Sequence, residues 1–392
     1  MEMVPFLEVP DLLVETGGDG LNLCIGCGTC TGLCPWNLTN TILNVRMLMR
    51  TAQLGVEPED TGDLWRCATC GYCVDNCPRE VPIIDVTRSM RAMTGSGGSQ
   101  PATLRAMLAS QGQNGNPWAG EADERNDWAK DLDLPDSGPA DAWMLYACCI
   151  QSYDAETRRS AKALVKVLQA ANFPMWLSPL DSVCCGCSVR ESGAMELTER
   201  MGRDNVRHFE KAGTRQIITS SPHCYNAFVK DYPKWGGEYE VKHYSQILHT
   251  LLEKGELVPT KPVNRTVTYH DPCYLGRHND IYEEPRQVLQ SIPGLNLVEM
   301  GRNREESVCC GGGGAQIFME RDLDERFANL RVQEALETGA DTLVTACPYC
   351  NSMFRDSIKS LQVDDRLRVM DIAELLLESL ADANSAQPNK NT

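Results

Sequence analysis

The alternation of apolar and polar positions divides the chain into three stretches. Up to residue 94 the apolar residues recur at helical spacing. In "TNTILNVRMLMRTAQLG", Ile42, Val45, Leu48 and Met49 fall on one face with Thr39 as the expected N-cap, and "VPIIDVTRSMRAM" reads as another helix. From Gly95 to Asp141 the pattern loosens into "GSGGSQP", "GQNGNPWAG" and "DLPDSGPAD", with one short helix over "ATLRAMLAS". Trp118 and Trp128 are expected to anchor this strap across a domain boundary, and it is assigned no chemistry. Beyond Asp141, short β-rich runs ("WMLYACC", "FPMWLSP", "RQIITSS", "TVTYHDPC", "LNLVEM", "DTLVTAC") alternate with helical ones ("AETRRSAKALVKVLQAA", "EEPRQVLQSI"). That alternation predicts parallel sheets with ligand loops at the carboxyl ends of the strands.

The third stretch repeats itself. Cys149 matches Cys273, the pair Cys184–Cys185 matches Cys309–Cys310, and "IITSSPHC" ending at Cys224 matches "LVTACPYC" ending at Cys350. A near-constant interval indicates tandem duplication of a domain of about 120 residues, a usual domain size. The expected organisation is 1–94, a strap at 95–141, domains at 142–260 and 261–381, and a solvated tail at 382–392.

Composition narrows the class. The 392 residues are 42% apolar and 23% charged, as in a soluble globular protein. A net charge of −17 argues against nucleic acid and anionic lipid as partners. No apolar run suffices for a membrane span, and the acidic start "MEMVPFLEVPDLLVETGGDG" shows no export signal. The expected location is therefore cytoplasmic, reaching a membrane only through a partner subunit.

Nineteen cysteines change the picture, because an odd number in a reducing compartment is a ligand distribution, not a disulfide framework. "CIGCGTCTGLCP" and "CATCGYCVDNCP" each have the C-x2-C-x2-C-x3-C-P spacing of 4Fe–4S ferredoxins, in which the fourth cysteine ligates the other cluster. One cubane is therefore assigned to Cys24, Cys27, Cys30 and Cys77, and the other to Cys67, Cys70, Cys73 and Cys34. Structural zinc shares the C-x2-C step but gives no reason for the doubled four-cysteine pattern. The long helical insert between the motifs suggests an α-helical ferredoxin domain. In the second repeat, Cys273, Cys309, Cys310, Cys347 and Cys350 are one thiol too many for a simple cubane, which suggests an enlarged or irregular iron–sulfur core. The glycines of "CCGGGGAQ" would let backbone approach that cluster and donate N–H groups to its sulfides.

These motifs, with "GNPWAGEADERNDWA", "SYDAETRR", "SPHCYNAFVKDYP", "TYHDPCYLGRHNDIY" and "ALETGADTLVTACPYC", resemble the CCG-domain iron–sulfur proteins, particularly the D-subunit type of heterodisulfide reductase. The resemblance implies an α+β multidomain fold, an α-helical ferredoxin domain followed by two tandem α/β CCG domains related by a pseudo-twofold duplication. It implies two cubanes and a noncubane 4Fe–4S cluster on the five cysteines of the second repeat, acting on a thiol or disulfide in a cytoplasmic oxidoreductase complex. The chain has no nucleotide or flavin motif, so a flavoprotein, hydrogenase-type or membrane quinone-linked subunit is the expected partner. A pure electron-relay subunit of the glycolate/lactate oxidase or benzoyl-CoA reductase type is the alternative.

The first repeat departs from the pattern, since Ser221 stands where the fifth cysteine belongs. A four-thiolate cluster on Cys149, Cys184, Cys185 and Cys224 is the preferred expectation; completion by Cys187 or Cys148, ligation by the Ser221 oxygen, and an empty site stay open. Cys309 and Cys310 are the candidate catalytic pair, with His270 and His223 as polar neighbours of cluster or substrate. Arg277 could hold an anionic substrate group, or pair with Asp280, Glu283 or Glu284.

Overall fold

A computed structural model describes residues 8–56, 61–96, 98–139 and 141–380. The tail at 382–392 lies outside them.

The duplicated stretch folds as two parallel sheets of the same order. Strands β1 (Trp143–Tyr146), β2 (Met175–Leu177), β3 (Gln216–Thr219) and β4 (Glu240–His243) form one in the order β2-β1-β3-β4; β5 (Arg265–His270), β6 (Leu295–Leu297), β7 (Thr342–Thr345) and β8 (Arg368–Asp371) form the other in the order β6-β5-β7-β8. The predicted runs supply six of these strands. The edge strands β4 and β8, "EVKH" and "RVMD", alternate more exposed with buried residues and lack the apolar run that marks a central strand. Chain order reverses between β1 and β3, and between β5 and β7, so each sheet has a switch point where its strand ends open a crevice for a ligand.

The domains pack about their pseudo-twofold. Helix Arg158–Ala170 of the first lies on Ile372–Ser379 of the second, and Tyr244–Glu253 lies on Glu283–Gln290. Leu164, Leu168, Leu248 and Leu251 thereby share one apolar core with Val288, Leu289, Leu375 and Leu376. Inside it, Tyr244 Oη donates to Asp371 Oδ1 at 2.7 Å, and Asp371 caps Ile372–Ser379. Burial raises the Asp371 carboxyl to about 7, against the pull of Tyr244 and the Ala373 N–H, with Glu374 adding to the rise. The unfolded carboxyl ionises near pH 4, so the folded chain holds an extra proton between about pH 4 and 7, and stability falls as pH rises through that window. Asp371→Asn keeps both the cap and the acceptor, and is expected to exceed the native protein at pH 8 by on the order of 3 kcal/mol, converging at pH 4. Anaerobic denaturant unfolding at the two pH values measures this.

In the N-terminal region, helices Glu8–Glu15, Val45–Leu54 and Ile83–Ser96 pack together. Val45–Leu54 starts later than expected, because the Asn44 side chain, not Thr39, accepts from the Met47 N–H; Thr39 ends a preceding 3-10 turn, and Ile42 is 69% exposed. The strap contributes helix Ala102–Asn114, then crosses the first of the two duplicated domains with Trp128 buried and Trp118 against Phe318 (ring centroids 5.4 Å apart).

Candidate metal centres

The two ferredoxin-type motifs fold alike. In each, the glycine between the second and third cysteines takes a left-handed turn (Gly28, φ 87°; Gly71, φ 86°) and opens a short helix, Thr29–Leu33 or Tyr72–Asp75. A side chain is strained at such φ, which explains the C-G-x-C step. Cys34, Cys67, Cys70 and Cys73 line one cavity, so the last cysteine of the first motif joins the first three of the second. Cys24, Cys27 and Cys30 lie within electrostatic reach of one another. Cys77 follows the helix Tyr72–Asp75, which packs on Thr29–Leu33, and its sulfur accepts from the Val81 N–H at 3.4 Å. Cys27 is exposed, and a hydrogen bond with the Thr29 hydroxyl lowers its thiol pKa.

At the β5/β7 switch point the five thiols of the second repeat are buried and form a line of contacts. Cys273 meets Cys309 at 3.8 Å, Cys309 meets Cys310, Cys310 meets Cys350, and Cys350 meets Cys347. Cys309 also touches Cys70, so this site abuts the second ferredoxin site directly. Arg331 donates to His270 Nδ1 at 3.2 Å, which puts the ring proton on Nε2. Nε2 is buried without a hydrogen-bond partner, and His270, Cys310 and Cys350 offer ligand atoms within 4.8 Å of one another. Contacts with Cys309 and Cys350, then His270, hold the Cys310 thiol well below its usual pKa.

The first repeat forms a second line at the β1/β3 switch point: Cys149 to Cys184, Cys184 to Cys185, Cys185 to Cys224, and Cys224 to Cys148. Cys185, the counterpart of Cys310, is held down to about 6 by Cys184 and Cys224. Ser221 is fully buried and its Oγ has no partner. A buried ring N–H facing Cys310 and a buried hydroxyl without a partner, each beside a cluster of buried thiols, fit two sites that receive a sulfur-bearing group.

Family models match the chain as a cysteine-rich domain (CCG) at residues 143–229 and 267–355, and as a 4Fe-4S dicluster domain at 19–78. The chain is 30% identical to the D-subunit of the dihydromethanophenazine:CoB–CoM heterodisulfide reductase of Methanosarcina barkeri, over 92% of this chain and 94% of that protein. It belongs to the CCG-domain iron–sulfur family, of the heterodisulfide reductase D-subunit type. It is also 30% identical to the probable iron-sulfur-binding oxidoreductase FadF of Bacillus subtilis and 29% identical to the EtfAB:quinone oxidoreductase of Syntrophomonas wolfei, over 93% and 92% of this chain. The chain spans only 60% and 58% of the length of those two relatives. A hypothetical protein from Helicobacter pylori, 11% identical, shares the fold over 96% of this chain and 73% of its own (TM-score 0.51). No helix among this chain's described residues is long and apolar enough to cross a membrane.

In this CCG protein, the rings of His278, Tyr274, His223 and Tyr349 follow one another with centroids 4.1, 4.0 and 4.6 Å apart, the first pair stacked and the other two tilted by 31° and 34°. Thr69, between Cys67 and Cys70, meets both the Tyr274 hydroxyl (2.9 Å) and His278 Nε2 (2.9 Å, through its carbonyl). At the other end, His223 of the first domain lies within reach of Cys310, and Tyr349 of the second within reach of Cys148 and Cys184. Burial lowers His223 to about 4, so its ring is neutral, and Cys187 Sγ sits 3.3 Å from its Nδ1. Arg277 binds main chain: it donates to the carbonyls of Cys70, Glu305 and Ser307, joining the second ferredoxin motif to the second CCG domain.

Two features have no signal in the sequence. The strap brings chemistry to the first site, because Arg125 donates to Cys149 Sγ at 3.4 Å and Gln111 contacts Cys184. A buried arginine in "GEADERND" has no periodicity to betray it. The glycines of "CCGGGG" serve docking as well: a Cβ on Gly313 would meet the Ala68 carbonyl oxygen at 2.5 Å, and one on Gly314 the Cys67 oxygen at 2.2 Å. Any larger residue would push the ferredoxin region away.

Proposed function

We propose that this chain is an electron-relay subunit, exchanging single electrons between a redox partner at its ferredoxin end and its CCG pair. The contact between Cys70 and Cys309 carries the reading, because it joins the thiols of the second ferredoxin site to those of the second CCG site across a domain boundary. Bound 4Fe–4S clusters supply reversible one-electron storage at such thiolates. Cys24, Cys27, Cys30 and Cys77 would hold one cubane, Cys67, Cys70, Cys73 and Cys34 the other, and Cys273, Cys309, Cys310, Cys347 and Cys350 a noncubane cluster, with a further cluster in the first CCG domain. His270 presents an N–H to the Cys310 side of its site, and Arg125 presents a cation to Cys149, so both sites favour added negative charge. The buried rings of His223 and Tyr349, 4.6 Å apart, lie between the two CCG sites, His223 within reach of Cys310 and Tyr349 within reach of Cys148 and Cys184. Exposed Cys27, with exposed apolar Leu23, Ile25 and Ile42 on the same region, marks the partner's approach. The relative named EtfAB:quinone oxidoreductase favours a flavoprotein or quinone-linked partner.

Thiol–disulfide chemistry at Cys309–Cys310 is the second reading, supported by the full-length match to a heterodisulfide reductase component. Anaerobic holoprotein, reduced with a viologen and mixed with either a quinone or a small-thiol disulfide, separates the two. The relay reading expects one-electron reoxidation by the quinone and an unchanged cluster EPR spectrum with the disulfide. Turnover of the disulfide to two thiols at the expense of two electrons would replace it with the second reading.

A further inference from the structure

We propose that Cys148 is the fifth thiol of the first CCG site, supplied from the end of β1 where the repeat would supply it from the end of β3. The inference rests on the iron–sulfur reading above. Strand register carries it. Tyr146 pairs with Thr219 across β1 and β3, and His270 pairs with Thr345 across β5 and β7. Continued two residues past its last pair, the register sets Cys148 opposite Ser221 in the first domain, and Pro272 opposite Cys347 in the second. Each junction has one thiol, on opposite strands. Neighbouring strands lie about 4.8 Å apart, so a side chain from either end can serve the same spot.

Packing supports the exchange. Cys148 is 3% exposed and its thiol touches Cys224. The order Cys149, Cys184, Cys185, Cys224, Cys148 thereby repeats Cys273, Cys309, Cys310, Cys350, Cys347, with Cys148 in the place of Cys347. Cys187, the other spare thiol, lies within electrostatic reach of Cys185, but its sulfur meets His223 Nδ1 at 3.3 Å and makes no hydrogen-bond contact with a thiol of that order. The unpartnered Ser221 Oγ lies at the vacated strand end. Losing a cysteine from the terminal C-x2-C motif therefore leaves the number of thiols at the site unchanged.

The test compares iron and acid-labile sulfide per folded chain, with EPR of the reduced and oxidised states, in anaerobically prepared native protein and four variants. Cys148→Ala is expected to lose about 4 iron per chain or to change the EPR signal of the first site. Ser221→Ala and Cys187→Ala are expected to match the native protein. Cys148→Ala with Ser221→Cys, which returns the thiol to β3, is expected to restore native iron and spectrum. It keeps the number of thiols, so it decides the matter even where Cys148→Ala alone does not fold. Native iron and EPR in Cys148→Ala, or a defect that Ser221→Cys fails to repair, would overturn the proposal. About 12 iron in native protein, indifferent to Cys148, would overturn this inference alone. Absence of iron from the ferredoxin motifs would overturn the relay reading instead.

Discussion

Arg91→Ala will lower the unfolding free energy by about 3–5 kcal/mol, because one buried guanidinium satisfies main chain from three domains at once. Arg91 is fully buried. Its Nε and Nη2 donate to the Leu64 carbonyl at 3.1 and 2.9 Å, Nη2 to Cys67 at 2.7 Å, and Nη1 to Glu191 at 2.7 Å and Gly314 at 3.3 Å. Leu64 and Cys67 belong to the ferredoxin region, Glu191 to the first CCG domain and Gly314 to the second. Alanine strands these acceptors away from water, and each buried orphan costs about 1–3 kcal/mol. Lysine does not rescue them, since an ammonium cannot spread its donors over carbonyls that a planar fork reaches on two sides. The adjoining ion pair cannot compensate either. Arg88 already meets Glu191 at 2.7 Å, and although burial opposes ionisation, Arg88 and Arg190 hold Glu191 down to about 2. Anaerobic denaturant unfolding gives the number, and a loss under about 1 kcal/mol would mean that the junction is held by other contacts.

Arg91 also marks the boundary of what the sequence discloses. Ligand chemistry was legible because iron–sulfur sites demand thiols at short, fixed spacings, and the duplication because two copies of one loop geometry need the same landmarks. Central strands were legible as apolar runs. Strand order was not, since nothing local says that β1 lies beside β3; without that neighbour relation, nothing favours Cys148 over Cys187 as the thiol that answers Ser221. Asn44 outcompeted Thr39 as a cap because helix Val45–Leu54 begins after a 3-10 turn and a bend, a choice made by docking on Glu8–Glu15 and Ile83–Ser96. Arg91, Arg125 and Gln111 act at a distance in sequence from what they touch, and polar residues that work inside a junction look from the sequence like solvated ones.

The connection between ferredoxin and CCG sites yields the other large effect. Cys34→Ala is expected to remove about 4 iron per chain from the second ferredoxin site and to leave the first site's EPR signal in place. The reason is the crossing: Cys34 sits in the cavity with Cys67, Cys70 and Cys73, although its own motif would supply Cys24, Cys27 and Cys30 to the other site. Cys77→Ala should do the converse. The two variants should differ more in transfer than in iron. In Cys77→Ala the second ferredoxin site still touches the CCG pair through Cys70 and Cys309, so a small reductant reaching that site should still reduce it. In Cys34→Ala that link is gone, and the CCG signals should stay oxidised on the timescale in which native protein is reduced. Rapid-freeze EPR after mixing with reduced viologen reads both sites at once. If Cys34→Ala instead erased the signal of the first site and spared the second, each motif would be serving its own cluster. If its CCG signals were reduced at the native rate, electrons would be reaching the pair without passing the Cys70–Cys309 contact, and the relay would have to start from a partner docked on the CCG domains.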